Sequence, residues 1–130
     1  MILGIGIDLC KISRIETVLN RFGERFKNRC FTINEIKKCD NINNKAACYA
    51  KRFASKEAVS KALGTGISRG VYWKHIEIIN MKSGKPSVTL KGNAKKILNE
   101  MTPKSKKNKI SITISDENGL AQALVLIEAI

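Results

Sequence analysis

The stretch Lys45–Leu63 most constrains what this chain can fold into. Its apolar residues recur at helical spacing, and Gly64 follows as a helix stop. On a wheel of about 100° per residue, Ala46, Ala47, Ala50, Phe53, Ala54, Ala58 and Ala62 share one arc. Lys45, Arg52 and Lys56 fall opposite, where a solvated face is expected. Glu57 and Lys61 fall inside the apolar arc, and Lys51 lies on it too. Charge on the packing side of a helix needs partners, because burying it alone is costly.

Two readings of Glu57 and Lys61 stand open at this level. One is an i,i+4 ion pair at the edge of the arc, worth roughly 0.2–0.5 kcal/mol. The other is a carboxylate facing a bound cation and an ammonium facing a phosphate. Asp8 bears on the choice. It ends the apolar run Ile2–Ile7, a predicted buried strand in which Leu3, Ile5 and Ile7 share one face. Gly4, Gly6 and Asp8 share the other, and two glycines beside a carboxylate are expected to leave space for a ligand to approach the backbone. Asp8 also suits a helix cap for the segment that follows. Two carboxylates completed by phosphate oxygens and water are a usual way to hold Mg²⁺. Gly64-Thr65-Gly66, just past the long helix, could offer backbone N–H groups to a phosphate.

The rest of the chain reads as α+β, a single domain over residues 1–130: a small antiparallel sheet packed with the long helix and several short ones. Ile12–Phe26 is predicted helical from Ile15, Val18, Leu19, Phe22 and Phe26. Thr32-Ile33-Asn34-Glu35 is a capping box opening a second helix, and Asn44 is placed to cap the long one. His75–Ile79 and Ser87–Lys91 are strands around the turn Met81–Pro86, and a short helix runs from Gly92-Asn93 to about Met101. Ile110–Ser115 and Leu120–Ile127 are strands joined by Asp116-Glu117-Asn118-Gly119.

Charge narrows the partners. Of 130 residues, 24 are Lys or Arg and 11 Asp or Glu, a net charge of +13. An anionic partner is expected: nucleic acid, membrane surface, phosphorylated cofactor or acidic protein. Residues 11–29 mix arginine with apolar residues, as a docking face does; the seven lysines of 91–109 suit a solvated loop. Aromatics are 5% of the chain, too few for a base-stacking platform. A Mg²⁺ nuclease or phosphatase commonly clusters more carboxylates than these. A purely structural module has no use for Glu57 and Lys61 on a packing face. Cys10, Cys30, Cys39 and Cys48 lack metal-ligand spacing. No run is long enough to span a membrane, and nothing at the start resembles a signal peptide. A cytoplasmic protein with reduced thiols is expected.

Several segments, in order, resemble one family. Gly4-Ile5-Gly6-Ile7-Asp8 with Ile12-Ser13-Arg14-Ile15 resembles the opening of the holo-acyl-carrier-protein synthases, and residues 52–66, Arg52-Phe53-Ala54-Ser55-Lys56-Glu57 through Gly64-Thr65-Gly66, resemble their signature helix and loop. Phe31–Glu35, Ser83-Gly84-Lys85-Pro86 and Ser111–Ser115 fit the same frame. The resemblance implies a small 4′-phosphopantetheinyl transferase. It would move phosphopantetheine from coenzyme A to a serine of apo-acyl carrier protein, releasing adenosine 3′,5′-bisphosphate and supporting fatty acid biosynthesis. It selects the cation reading: Asp8 and Glu57 as Mg²⁺ ligands and catalytic groups, with Lys61 steadying the leaving phosphate. Glu57 is the first choice of base and Asp8 the second. Gly64, Thr65, Gly66, Gly84, Lys85 and Pro86 would lie along the coenzyme. A homotrimer with sites between subunits is implied. So is an acidic carrier protein docked on Arg14, Val18, Arg21, Phe22 and Arg25, with Phe26 beside them; the competing account makes the apolar members core and the arginines solvated. One position departs. Asp116 stands where the family pattern usually places a His, and an ionised carboxylate cannot hold an anionic 3′-phosphate; either a neighbouring lysine substitutes or affinity for the coenzyme is lower.

Overall fold

The side chain of Asn44 accepts the N–H of Ala47 at 3.1 Å, and Gly64 closes the long helix in the left-handed conformation at φ 83°. Those two caps set its bounds at Lys45–Leu63. In the computed structural model, which describes Met1–Ile130, this is the fourth of five α-helices. The order is β1 (Ile2–Lys11), α1 (Ile12–Phe22), α2 (Glu24–Cys30), α3 (Ile33–Asp40), α4 (Lys45–Leu63), a 3₁₀ turn at Trp73–His75, β2 (Ile76–Asn80), β3 (Pro86–Leu90), α5 (Gly92–Met101), β4 (Asn108–Glu117) and β5 (Leu120–Ala129). The class is α+β, as expected. The strands form two antiparallel groups: a three-stranded sheet ordered β1-β5-β4 and a separate β2-β3 hairpin. No helix is long and apolar enough to cross a membrane.

The helix expected over Ile12–Phe26 is two. Gly23 takes φ 52°, ψ −122° and closes α1 by donating to the Leu19 carbonyl at 2.9 Å. The capping box at Thr32 forms: Thr32 Oγ1 accepts the Glu35 N–H, and a Glu35 carboxylate oxygen accepts the Thr32 N–H at 2.9 Å.

The sheet packs one face on α4, and the contact is unusually close. A Cβ on Gly4 would lie 2.0 Å from the Ala62 carbonyl oxygen, and one on Gly6 would lie 1.8 Å from that of Ala58. The space expected beside these glycines for a ligand is therefore filled by helix backbone. Glycine here, opposite an alanine row, lets strand and helix touch main chain to main chain. Ala58, Ala62, Ala121, Ala123, Val125 and Ile127 close this core.

The solvated face expected at Arg52 and Lys56 is also overturned. Lys56 is fully buried; its Nζ lies 2.6 Å from Glu35 Oε1 and donates to the carbonyls of Trp73 at 3.0 Å and Ile76 at 2.6 Å. Glu35 Oε2 accepts the N–H of Ile78 at 2.9 Å. Burial pushes Lys56 below the ordinary lysine value, against the pull of Glu35. α4 is covered by the sheet on one side and by α3 and the β2-β3 hairpin on the other, so only Lys45 of the three meets solvent. A wheel shows which side chains share a side, but not how many sides are covered.

Cys39 and Cys48 are joined in a disulfide with Cα atoms 5.4 Å apart. The expectation of four reduced thiols is corrected to two, Cys10 and Cys30, both buried. The short connector between α3 and α4 folds the two helix ends together, a proximity that a separation of 9 residues does not display.

Candidate active site

Asp8, on β1, and Glu57 and Lys61, one turn apart on α4, meet at one edge of the strand-helix contact. Lys61 Nζ lies 2.9 Å from Asp8 Oδ1 and donates to the Ile7 carbonyl at 3.0 Å. An ammonium has three hydrogens, so one remains to point outward. The i,i+4 pair open on sequence grounds is not made: Lys61 turns to Asp8, and Glu57 has no ion-pair partner. Burial raises the Glu57 carboxyl above its ordinary value, the charge of Asp8 raises it further, and Lys61 opposes both. Like charges held together with one lacking a counter-ion suit a divalent cation. No third His, Cys, Asp or Glu joins them, so the donor set fits a Mg²⁺ that takes its remaining ligands from phosphate and water.

The Gly64-Thr65-Gly66 segment follows α4 directly, and its N–H groups are taken up by the end of that helix. That of Gly64 goes to the Lys61 carbonyl, and those of Thr65 and Gly66 go to the Ser60 carbonyl at 3.2 and 3.1 Å. The expected phosphate cradle of N–H groups is instead the helix cap. Gly64 and Gly66 both have positive φ, and added Cβ atoms would meet nothing within 4 Å, so the loop borders open space.

Gly84, Lys85 and Pro86 lie elsewhere. Gly84 and Pro86 line a cavity of about 680 Å³ with Lys38, Cys48, Lys51, Arg52, Asn80, Lys82 and Asp116, and none of Asp8, Glu57 or Lys61 lines it. Arg52 Nη2 donates to Asn80 Oδ1 at 3.0 Å, and Asn80 Nδ2 donates to the Gly84 carbonyl at 3.0 Å, so the turn hangs from α4. Arg52 Nε is buried without a partner. Asp116 is 3.5 Å from Lys51 Nζ. The lysine sought beside Asp116 is thus on α4, among three further cations that sequence reading did not place there. Arg52 belongs to the motif over residues 52–66, yet its position opposite the alanine arc hid it.

A second cavity, about 460 Å³, is lined by Val18, Phe22, Arg25, Phe26, Arg29, Cys30 and Trp73. It gathers three of the five residues expected to dock a partner. Arg14 and Arg21 are exposed outside it, with the Arg21 guanidinium 5.2 Å from the Phe22 ring centre. Phe26 leans inward, 5.5 Å from Phe31 and 6.1 Å from Phe53 between ring centres.

Residues 4–115 match the 4′-phosphopantetheinyl transferase superfamily. The chain belongs to this family of transferases. Within it, the similarity runs to proteins named holo-[acyl-carrier-protein] synthase. That of Sinorhizobium medicae is 56% identical over 130 residues, covering 100% of this chain and 94% of the relative. Among solved structures, that of Neisseria meningitidis superposes with TM-score 0.86 at 34% identity, covering 98% of this chain and 99% of the other. That of Helicobacter pylori, in complex with coenzyme A, superposes with TM-score 0.81 at 33% identity, covering 95% and 99%.

Proposed function

We propose that the protein transfers the 4′-phosphopantetheine group of coenzyme A to a serine of apo-acyl carrier protein, releasing adenosine 3′,5′-bisphosphate. The observation that carries this reading is the carboxylate pair Asp8–Glu57 with Lys61 beside it, on a chain whose relatives are holo-acyl-carrier-protein synthases. Asp8 and Glu57 would hold Mg²⁺, which when bound neutralises charge on the pyrophosphate. Phosphoryl transfer asks mainly for positioning and charge stabilisation. Lys61, fixed by Asp8 and the Ile7 carbonyl, directs its remaining N–H to the leaving phosphate. Glu57, directly or through a water, takes the serine proton.

The coenzyme's anionic nucleotide end suits the Arg52 cavity, where Lys38, Lys51, Arg52 and Lys82 outnumber Asp116. Arg52 and Lys61 are about 13 Å apart by helical rise, and no residue lines both places. A coenzyme spanning them is served by two copies, one lending the carboxylates and the other the cavity. The outer sheet face supports assembly, since Ile5, Ile7, Leu9 and Leu124 stand 43–58% exposed there. A homotrimer with sites between subunits is the arrangement we assign. The carrier protein, being acidic, docks on the α1–α2 face, where Arg14, Arg21 and Arg25 steer and Val18 and Phe22 bury area.

Incubation with Mg²⁺, coenzyme A and apo-acyl carrier protein is expected to add one phosphopantetheine to the carrier by intact mass. An unchanged carrier at high enzyme concentration would refute the assignment.

A further inference from the structure

The wall of the Arg52 cavity contains a disulfide. Cys48 Sγ accepts a hydrogen bond from Arg52 Nη1 at 3.4 Å, and from Arg52 the bonding continues to Asn80 and on to the Gly84 carbonyl. Cys39, in the last turn of α3 beside Lys38, ties that helix to α4, so the bridge also holds Lys38 and Ile42 on the cavity wall. Arg52 is only 6% exposed, with Nε unpartnered; its charge is aimed where the sulfur sits. Cys39 is 0% and Cys48 3% exposed, and Cys48 lines the cavity. The cavity is thus the approach by which a small thiol reaches the bridge.

We propose that Cys39–Cys48 is a redox latch on this cavity, the oxidised form binding the coenzyme's anionic end more tightly than the reduced form. The proposal rests on the reading of the cavity as the coenzyme's nucleotide subsite. A dithiol reductant opens the latch by exchange: its thiolate attacks one sulfur, the Cys39–Cys48 bond breaks, and its second thiol closes it into a cyclic disulfide. Two protein thiols remain, carrying the two protons the reductant gives up. Oxidised glutathione reverses this, re-forming the bridge and leaving two glutathione thiols. Opening the latch acts in two ways. The freed Cys48 thiol lies beside Arg52, gives up its proton to solvent, and as thiolate pairs with the guanidinium and cancels one cavity charge. The end of α3 is released, so Lys38 is no longer held on the wall. Linkage requires the converse at equilibrium, that an occupant bound more tightly by the oxidised form makes the bridge harder to reduce; because Cys48 lines the cavity, the occupant also shields the bridge and slows its reduction.

Adenosine 3′,5′-bisphosphate is the suitable probe, because it carries the anionic end of coenzyme A without its thiol. Calorimetric titration of full-length protein with Mg²⁺ is expected to give binding about tenfold weaker after dithiothreitol, the scale of one charged contact. Oxidised glutathione should restore the parent value. Saturating bisphosphate should slow bridge opening several-fold, read by alkylation and mass. Cys39→Ala, which leaves the Cys48 thiol beside Arg52, should bind more weakly than Cys48→Ala, which leaves no sulfur there. Equal affinity of the two redox forms, with unchanged far-ultraviolet dichroism, would overturn the latch. So would a reduction rate indifferent to the bisphosphate, a measurement that stands even if the reduced protein loses structure. Bisphosphate binding to neither form would overturn the cavity reading and the latch with it, while the carrier-protein mass assay judges the transfer activity separately.

Discussion

Glu57 and Lys56 are neighbours in the chain with opposite fates. Lys56 is buried and fully paired; Glu57 is partly buried beside Asp8 and makes no ion pair. A carboxyl whose folded-state pKa is raised favours folding below its unfolded value of about 4.3. That contribution is lost as pH rises through the folded value. At neutral pH, then, the ionised Glu57 works against the fold and is available to a cation. Glu57→Gln is expected to cut transfer by about a hundredfold or more. Metal-free thermal unfolding at pH 7 should show it melting no lower than the parent. A variant that kept parent activity, or melted several degrees lower, would contradict the role. At this scale the sequence displayed charges out of pattern. It could not show that Lys61 chooses Asp8 over Glu57, because that choice depends on where β1 passes α4.

The strand-helix contact is the element on which the site depends. Gly6→Ala would drive a methyl into the Ala58 carbonyl, and main chain has nowhere to retreat. The expected cost is about 3 kcal/mol, the upper part of the overpacking range, measured by denaturant unfolding. Asp8 lies two residues along, so transfer should fall as well. A second contact joins α2, α3 and α4: Asp40 Oδ1 accepts the Tyr49 hydroxyl at 2.6 Å and lies 3.0 Å from Lys27 Nζ. The Tyr49 hydrogen bond and Lys27 hold the Asp40 carboxyl below its ordinary value. For a lowered acid, the stabilisation is present above the unfolded value and disappears as pH falls through the folded one. Asp40→Asn should therefore melt below the parent at pH 7; the gap should start to narrow near about pH 4 and close only as pH falls through the lowered folded value. A constant gap across that range would exclude the ionic contribution. Caps and strand periods announced most element bounds, including both ends of α4. The break at Gly23 escaped, because the apolar spacing continues through it.

For the whole molecule, an apolar strip on β1 and β5 is exposed, and the Arg52 cavity and the Asp8–Glu57–Lys61 group share no lining residue. On the proposed trimer with shared sites, Ile7→Lys, on the outer face and away from the α4 contact, should give monomer by native mass spectrometry and lower transfer with it. A parent protein that is monomeric at micromolar concentration while fully active would refute the shared site. The sequence by itself determined the class of fold, the long helix with its caps, the turn residues, and the motif order that points to phosphopantetheine transfer. These depend on local chemistry and on patterns a chain carries at fixed spacing. Tertiary structure alone decided that Gly4 and Gly6 serve helix contact and not ligand access, that Lys56 is buried against Glu35, and that Cys39 meets Cys48. It likewise decided that Lys51 and Arg52 share a cavity with the Gly84 turn. Each of these depends on which surfaces cover which, and coverage is set by non-local packing that spacing along a chain does not encode. Asp8 and Glu57 lie between the two cases: their types and motifs were legible, but their nearness came from main-chain contact between a strand and a helix some fifty residues apart.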